Sequence, residues 1–142
     1  MEVGLSAAFT LPVRVYYEDT DAGGVVYHAN YLRFMERARS EWLSHLKLEH
    51  GPLAAEHDTL FVVRAAQIEY LRPARLSDLL QVEVAIRQIR RSAIVFAQHI
   101  RCGEHLLVTG EITVVAVSAS RFRPCAVPPP VLAALQPWLP PA

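Results

Sequence analysis

The 142-residue chain is long enough for one domain, and a 52% hydrophobic content can fill a core without disulfide or metal staples. Its 14 lysines and arginines balance 14 aspartates and glutamates, so no global field draws in a polyanion and nucleic acid is excluded as an expected partner. The only cysteines, Cys102 and Cys125, form no CxxC pair, which points to free thiols in a reducing compartment.

The opening MEVGLSAAFTLPVRV carries Glu2 where a signal peptide needs lysine or arginine. No apolar run reaches the ~18 residues of a membrane span. The expectation is a cytoplasmic protein without a membrane span, whose residues 1–11 are a loose N-terminus. Val13, Val15 and Tyr17 then alternate with Arg14, Tyr16 and Glu18, a period of two that predicts a first strand ending just before Asp19. Next comes EDTDAGGVVYHANYLRFMER, three carboxylates, two adjacent glycines and a histidine placed directly before a helical pattern. From Tyr31 the apolar positions Leu32, Phe34, Met35, Ala38, Trp42, Leu43 and Leu46 are spaced by threes and fours. Asn30 suits the N-cap, and Gly51-Pro52 supplies a stop, giving about 16 to 20 helical residues.

Downstream, LFVVRAAQIEYL, LLQVEVAIRQI, SAIVFAQHIRC and HLLVTGEITVVAVS read as strands separated by RPARLSD, RR and GE turns. One helix thus meets about five strands, antiparallel because the connections are short. ITVVAV is apolar on both alternating faces, and one helix covers only one face of a sheet. A second copy of the chain is expected to cover part of the other. Seven of the ten prolines lie at or after Pro124, so residues 124–142 form a docked or partly loose tail.

The charged stretch before the helix has a chemical reading. A helix N-terminus carries about +0.5 of a charge and unpaired N–H groups, which stabilise an anion or a developing oxyanion. Gly23 and Gly24 let backbone approach a ligand. Asp21 then serves as nucleophile or general base beside a carbonyl held by those N–H groups, an arrangement suited to acyl transfer. The competing reading is a turn and a cap with carboxylates satisfying backbone N–H groups. No G-x-S-x-G, H-E-x-x-H or Walker pattern is present, and the six histidines do not pair as metal ligands, so no cofactor is expected. Only His28 sits in the charged turn. Arg87, Arg90 and Arg91 place three guanidiniums within five residues near a strand end, where they suit phosphate contacts.

The stretch VRVYYEDTDAGGVVYHANYLRFMERARSEWL resembles the start of the 4-hydroxybenzoyl-CoA thioesterase-like branch of hotdog-fold proteins, and most of all the Tol-Pal-associated acyl-CoA thioesterases. The likeness continues through IEYLRPARLSD, RQIRRSAIVFAQHI and the Gly110-Glu111 pair, covering roughly residues 12–123. It implies an α+β hotdog fold, a long central helix wrapped by a curved antiparallel sheet, in homodimers or homotetramers with active sites between subunits.

By position the resemblance makes Asp21 the catalytic carboxylate and gives the backbone N–H of His28 the thioester carbonyl. Asp19 braces the turn, and Tyr27, Asn30 and Tyr31 shape the pocket wall and helix entry. Another hotdog branch uses a helix glutamate, but Glu36 and Glu41 read as solvated helix charge. Hotdog dehydratases space their aspartate and histidine differently from Asp21 and His28. Ser118 and Ala119 stand where relatives often carry an acidic residue.

The function so implied is hydrolysis of short-chain or aromatic acyl-CoA. Tyr16, Tyr17, Tyr27, Phe34, Phe61 and Tyr70 are the aromatic candidates for the pocket. The alternatives are a noncatalytic acyl-CoA-binding or envelope-associated interaction protein, with Tol-Pal-associated partners, or a thioesterase acting on an acyl carrier protein.

Overall fold

The computed structural model of the chain describes residues 5–141, so residues 1–4 of the segment expected to be loose, and residue 142, lie outside the described residues. Five strands form one antiparallel sheet: β1 (Phe9–Arg14), β2 (Thr59–Tyr70), β3 (Leu79–Ile89), β4 (Ala93–Cys102) and β5 (His105–Ser118), in the order β1-β3-β4-β5-β2. The last four coincide with the apolar runs within a residue at each end. Short turns join β3 to β4 and β4 to β5, the second closed by Gly103 at φ 59°, a left-handed value that favours glycine.

The first strand differs from its sequence pattern. It begins at Phe9, inside the segment expected to be loose, and ends at Arg14. Val13 and Val15 are buried as the alternation predicts, but Tyr17 is 82% exposed and opens a 3-10 turn over Tyr17–Asp19. The Asp19 carboxylate bends the chain out of the sheet there by accepting the Tyr16 N–H at 2.8 Å.

Helix α1 (Asn30–His45) lies across one face and buries Tyr31, Phe34, Met35, Ala38, Trp42 and Leu43. Fully buried side chains such as Phe34 and Met35 each contribute ~1.5–3 kcal/mol relative to exposure. Close approach is possible because β5 has no side chain at Gly110. A Cβ there would meet Met35 Cε at 2.9 Å and Ile68 Cδ1 at 3.0 Å. Polar pinning is added by the fully buried Gln98 of β4, whose Nε2 donates to the Met35 carbonyl at 3.0 Å. Its Oε1 accepts from Arg39 Nη1 at 2.8 Å.

The α1 pattern ends at Lys47, which adopts φ 61°. Gly51-Pro52 is not the stop: a second helix, α2 (His50–His57), runs through it. Proline is harmless there because its missing N–H falls in the first turn, where N–H groups have no helical acceptor. Asp58, at φ 49°, closes α2. Its carboxylate accepts from Ser118 Oγ and Ser120 Oγ, both at 2.7 Å, and these bonds hold it below the usual carboxylate range. The negative charge beside Ser118 and Ala119 at the end of β5 therefore comes from across the sheet.

The tail is docked. Pro124 bridges to Val117, and the N–H groups of Cys125 and Val127 reach the carbonyls of Ala116 and Arg91. Helix α3 (Pro129–Leu135) then buries Val131 and Leu135 in the main core. On the outer sheet face Ala93, Val115 and Val117 cluster with Leu60 and Val62 and are themselves buried. The outer apolar residues of ITVVAV are thus largely covered within one chain, and exposed aliphatic surface falls instead at residues such as Leu32 and Val63. Among the described residues no helix is long and apolar enough to cross a membrane.

Gly110→Val should lower the stability by ~1–3 kcal/mol, because overpacking forces Met35 and Ile68 aside. Urea unfolding should show a lower midpoint at constant slope, and the loss should shrink in a Met35→Ala background since the two sites touch.

Candidate active site

The segment between the 3-10 turn and α1 is a tight loop fixed by its own backbone. Thr20 and Val26 form a bridge, Asp21 N–H reaches the Val25 carbonyl at 2.9 Å, and Gly24 N–H reaches the Asp21 carbonyl at 3.1 Å. This is a three-residue hairpin loop, whose last position needs a positive φ, and Gly24 sits there at 78°. A Cβ on Gly24 would meet no protein atom within 4 Å, so what the fold itself requires of glycine here is the positive φ. Gly23 acts differently, through its N–H, which donates to Asp21 Oδ1 at 2.8 Å and fixes the exposed carboxylate.

The entrance of α1 is tied down from three sides. Tyr27 N–H reaches the Asp19 carbonyl at 2.9 Å, and Val26 N–H reaches the Ala74 carbonyl at 2.9 Å. Ala74 N–H in turn donates to the buried Tyr31 hydroxyl at 3.0 Å. From the end of β2, Tyr70 donates its hydroxyl to the His28 carbonyl at 3.2 Å. Asn30 is not an N-cap: it is the first residue of the helix, buried, and its Nδ2 donates to Asp19 Oδ1 at 3.0 Å. Asp19 braces the turn, as the resemblance implied, with both carboxylate oxygens and its carbonyl engaged.

Asp21, His28, Tyr31, Tyr70 and Arg72 line one open depression of about 300 Å³. Among the described residues the His28 N–H, two residues before the start of α1, has no backbone acceptor and is an available donor. Burial pushes the Tyr31 phenol up, with Tyr70 and Asp21 acting in the same direction. Tyr31 therefore stays neutral near pH 7 and is a wall rather than a base. Tyr27 is half exposed, its ring 4.6 Å from that of His28.

Of the other aromatic candidates, Phe34 is in the core, Tyr16 and Tyr17 face solvent, and Phe61 lines a different cavity. Arg72, whose Nη1 lies 2.6 Å from His105 Nδ1, is a site residue that sequence reasoning misses. The only signal for it is its place one residue beyond the IEYL strand. Arg87, Arg90 and Arg91 are not brought to Asp21 within the chain. β3 starts beside the loop and they cluster at its far end, some ~30 Å along the strand. There Arg87 pairs with Glu111 at 2.9 Å, and Arg90 donates to Gln88 at 3.2 Å. Glu36 and Glu41 are on the exposed side of α1. Among the described residues no group of three or more His, Cys, Asp or Glu side chains is arranged to hold a metal.

A long helix laid on a five-stranded antiparallel sheet, with a carboxylate loop at its entrance, defines the hotdog thioesterase class, and solved structures bear this out. The crystal structure of Slr0204, a 1,4-dihydroxy-2-naphthoyl-CoA thioesterase from Synechocystis, is similar at a TM-score of 0.83 and 27% identity, covering 89% of this chain and 94% of that one. A probable thioesterase from Bartonella henselae is similar at a TM-score of 0.80 and 36% identity, covering 85% of this chain and all of the other. The pattern of the Thioesterase-like superfamily matches residues 15–135, and the chain belongs to that family of enzymes. Its sequence is 47% identical to the acyl-CoA thioester hydrolase YbgC of Escherichia coli O6:H1 over 126 residues, 88% of this chain and 93% of the relative. It is 43% identical to the acyl-CoA thioesterase YbgC of Haemophilus influenzae over 130 residues, 92% and 96% of the two chains.

The two aspartates of the loop should separate cleanly. Asp19→Ala orphans the Tyr16 N–H and the Asn30 amide and should destabilise by ~1–3 kcal/mol. Asp21→Asn, exposed and still able to accept from Gly23, should stay within ~0.5 kcal/mol of wild type in thermal or urea unfolding.

Proposed function

We propose that the chain hydrolyses acyl-CoA thioesters to a free acid and CoA. The observation that carries this is the pairing, in one depression, of the Asp21 carboxylate held by Gly23 with the unpaired His28 N–H at the entrance of a 16-residue helix. In this reading the His28 N–H and the positive end of α1 receive the thioester oxygen as it becomes an oxyanion. Asp21 either attacks the carbonyl carbon or takes a proton from the attacking water. The C–S bond breaks as the tetrahedral intermediate collapses, and the sulfur leaves as thiolate and takes up a proton. In the nucleophilic version the intermediate is a mixed anhydride, which water opens. The relatives named for acyl-CoA and naphthoyl-CoA substrates support CoA as the leaving group. The ring walls of Tyr31 and Tyr70 support a short or aromatic acyl group.

The working unit in this reading is a homodimer or larger. β2 is an edge strand of 12 residues, with Arg64 as the one charged residue before Glu69 and with Val63 exposed beside the bulge. A long edge so lightly charged invites pairing with another copy. Sedimentation should show an oligomer at micromolar concentration, and Val63→Lys should shift it toward monomer. An active monomer in wild type would remove this part of the reading. The cluster of Arg87, Arg90 and Arg91 reaches CoA phosphates only if such an assembly brings it to a neighbouring site.

Asp21→Asn should lower kcat by ~10²-fold or more while acyl-CoA binding is largely kept. Single turnover in ¹⁸O-water tests the nucleophilic role. Label in the Asp21 carboxylate marks a mixed anhydride that water opens on the aspartyl side, whereas label only in the acid product fits either the general base or an anhydride opened on the acyl side. Full activity in Asp21→Asn would leave the loop as a well-made turn and nothing more.

A further inference from the structure

Away from the Asp21 depression, and sharing no lining residue with it, a cavity of about 90 Å³ lies where α1, α2 and α3 meet strands β2, β4 and β5. Most of its wall is apolar, including Leu43, Phe61, Ile94 and Val131, and Arg39 is the one arginine in its lining. Arg39 is only 8% exposed. Nη1 donates to Gln98 and the guanidinium carbon lies 5.9 Å from the centre of the Phe96 ring, while the other N–H groups have no hydrogen-bond acceptor among the described residues. No carboxylate lies within ion-pair distance. Burial pulls its pKa down to about 10, against an opposing pull from Glu36, so it is still charged at neutral pH. A buried cation without a counter-ion is strongly disfavoured unless something polar meets it. A clamp between helix and sheet needs only the Gln98 bond. It does not need a cavity in front of the rest of the fork.

We propose that this cavity binds a short-chain carboxylate, the carboxyl group against Arg39 and the alkyl part against Leu43, Phe61, Ile94 and Val131. The planar fork of arginine matches a carboxylate, and the apolar wall selects an anion with a hydrocarbon body over sulfate or phosphate. Size limits the ligand. An apolar protein cavity of about 150 Å³ accepts benzene, so this one, at about 90 Å³, takes roughly four non-hydrogen atoms, the size of acetate. Glu36 at the rim is the one competing charge. Its Oε1 is held by Ser40 Oγ at 3.0 Å, and Ser40 lies 3.3 Å from His50 Nε2. The acid released by thioester hydrolysis belongs to this class of ligand, but the proposal stands without the catalytic reading because binding is measured on the protein alone.

The test is titration of ¹³C-carboxyl acetate against the full chain by NMR at constant ionic strength, with acetamide and sulfate as controls. Wild type should bind acetate at least ~10-fold more tightly than acetamide, the weight of a charge-assisted hydrogen bond. Ser40→Leu fills the cavity and leaves the Arg39–Gln98 bond in place, so it should abolish binding. Arg39→Met should do the same. If that variant fails to fold because Gln98 loses its donor, Ser40→Leu alone decides. Glu36→Gln removes the like charge and should tighten binding ~2- to 5-fold. No binding in wild type, equal affinity for acetamide or sulfate, or binding that survives Ser40→Leu would overturn the assignment.

Discussion

The buried carboxylate of Asp19 is the constraint on which the site depends. One oxygen accepts the Tyr16 N–H, the other accepts the Asn30 amide, and the carbonyl of the same residue accepts the Tyr27 N–H. A single residue thereby ties the exit of β1, the hairpin loop and the first turn of α1 into one unit. Leaving such a buried acceptor unmet costs about as much as a large cavity-forming substitution, so the three segments move together or not at all. Asp21, two residues on, inherits a fixed position and is free to face solvent. The division of labour between the two aspartates follows from burial: the residue inside satisfies backbone, and the residue outside has only Gly23 to hold it.

A fixed entrance is useful only if the helix behind it is also fixed. The position of α1 is set near its middle, where Gly110 lets Met35 sit down on β5 and Gln98 grips the Met35 carbonyl from β4. Packing there is dispersive and close, so it resists sliding, while the Gln98 bond resists rotation. Together they turn a helix dipole, a weak and screened effect at a surface, into a donor group held at a defined place. Tyr70 completes the arrangement from the end of β2 by holding the carbonyl of the residue whose N–H is offered.

Much of this is legible in the sequence. The strands from β2 to β5 are long, β-branched and bounded by turn residues, so pattern alone places them. The amphipathic spacing from Tyr31 to Leu46 likewise places α1. What is not legible has local reasons. Asn30 has the right chemistry for a cap, and only the fold brings Asp19 close enough to claim its amide. Gly51-Pro52 carries the usual stop signal, but at the start of a helix the same residues are harmless. Gly24 reads in sequence as room for a ligand, and the positive φ that the hairpin loop demands of it is not visible there. Arg72 sits in a turn whose direction no periodicity encodes. The outer face of ITVVAV looks bare in sequence because the covering residues are Leu60 and Val62, far away along the chain.

The depression around Asp21 is still open in a single chain, and that has a physical consequence for the proposed chemistry. A carboxylate and a peptide N–H stabilise developing charge far better when water is excluded, because the effective dielectric falls and no solvent has to reorganise. Here Asp21, Tyr27, His28 and Tyr70 are all exposed. Closing the depression requires either the substrate itself or another surface. Tyr70 terminates β2, the same strand whose free edge bears exposed Val63 and few charges. A second copy paired along that edge would pass beside Tyr70 and, through it, beside the His28 peptide. In the proposed assembly self-association and catalysis would converge on one strand, because the lightly charged edge strand β2 is also the strand whose last residue, Tyr70, holds the His28 carbonyl.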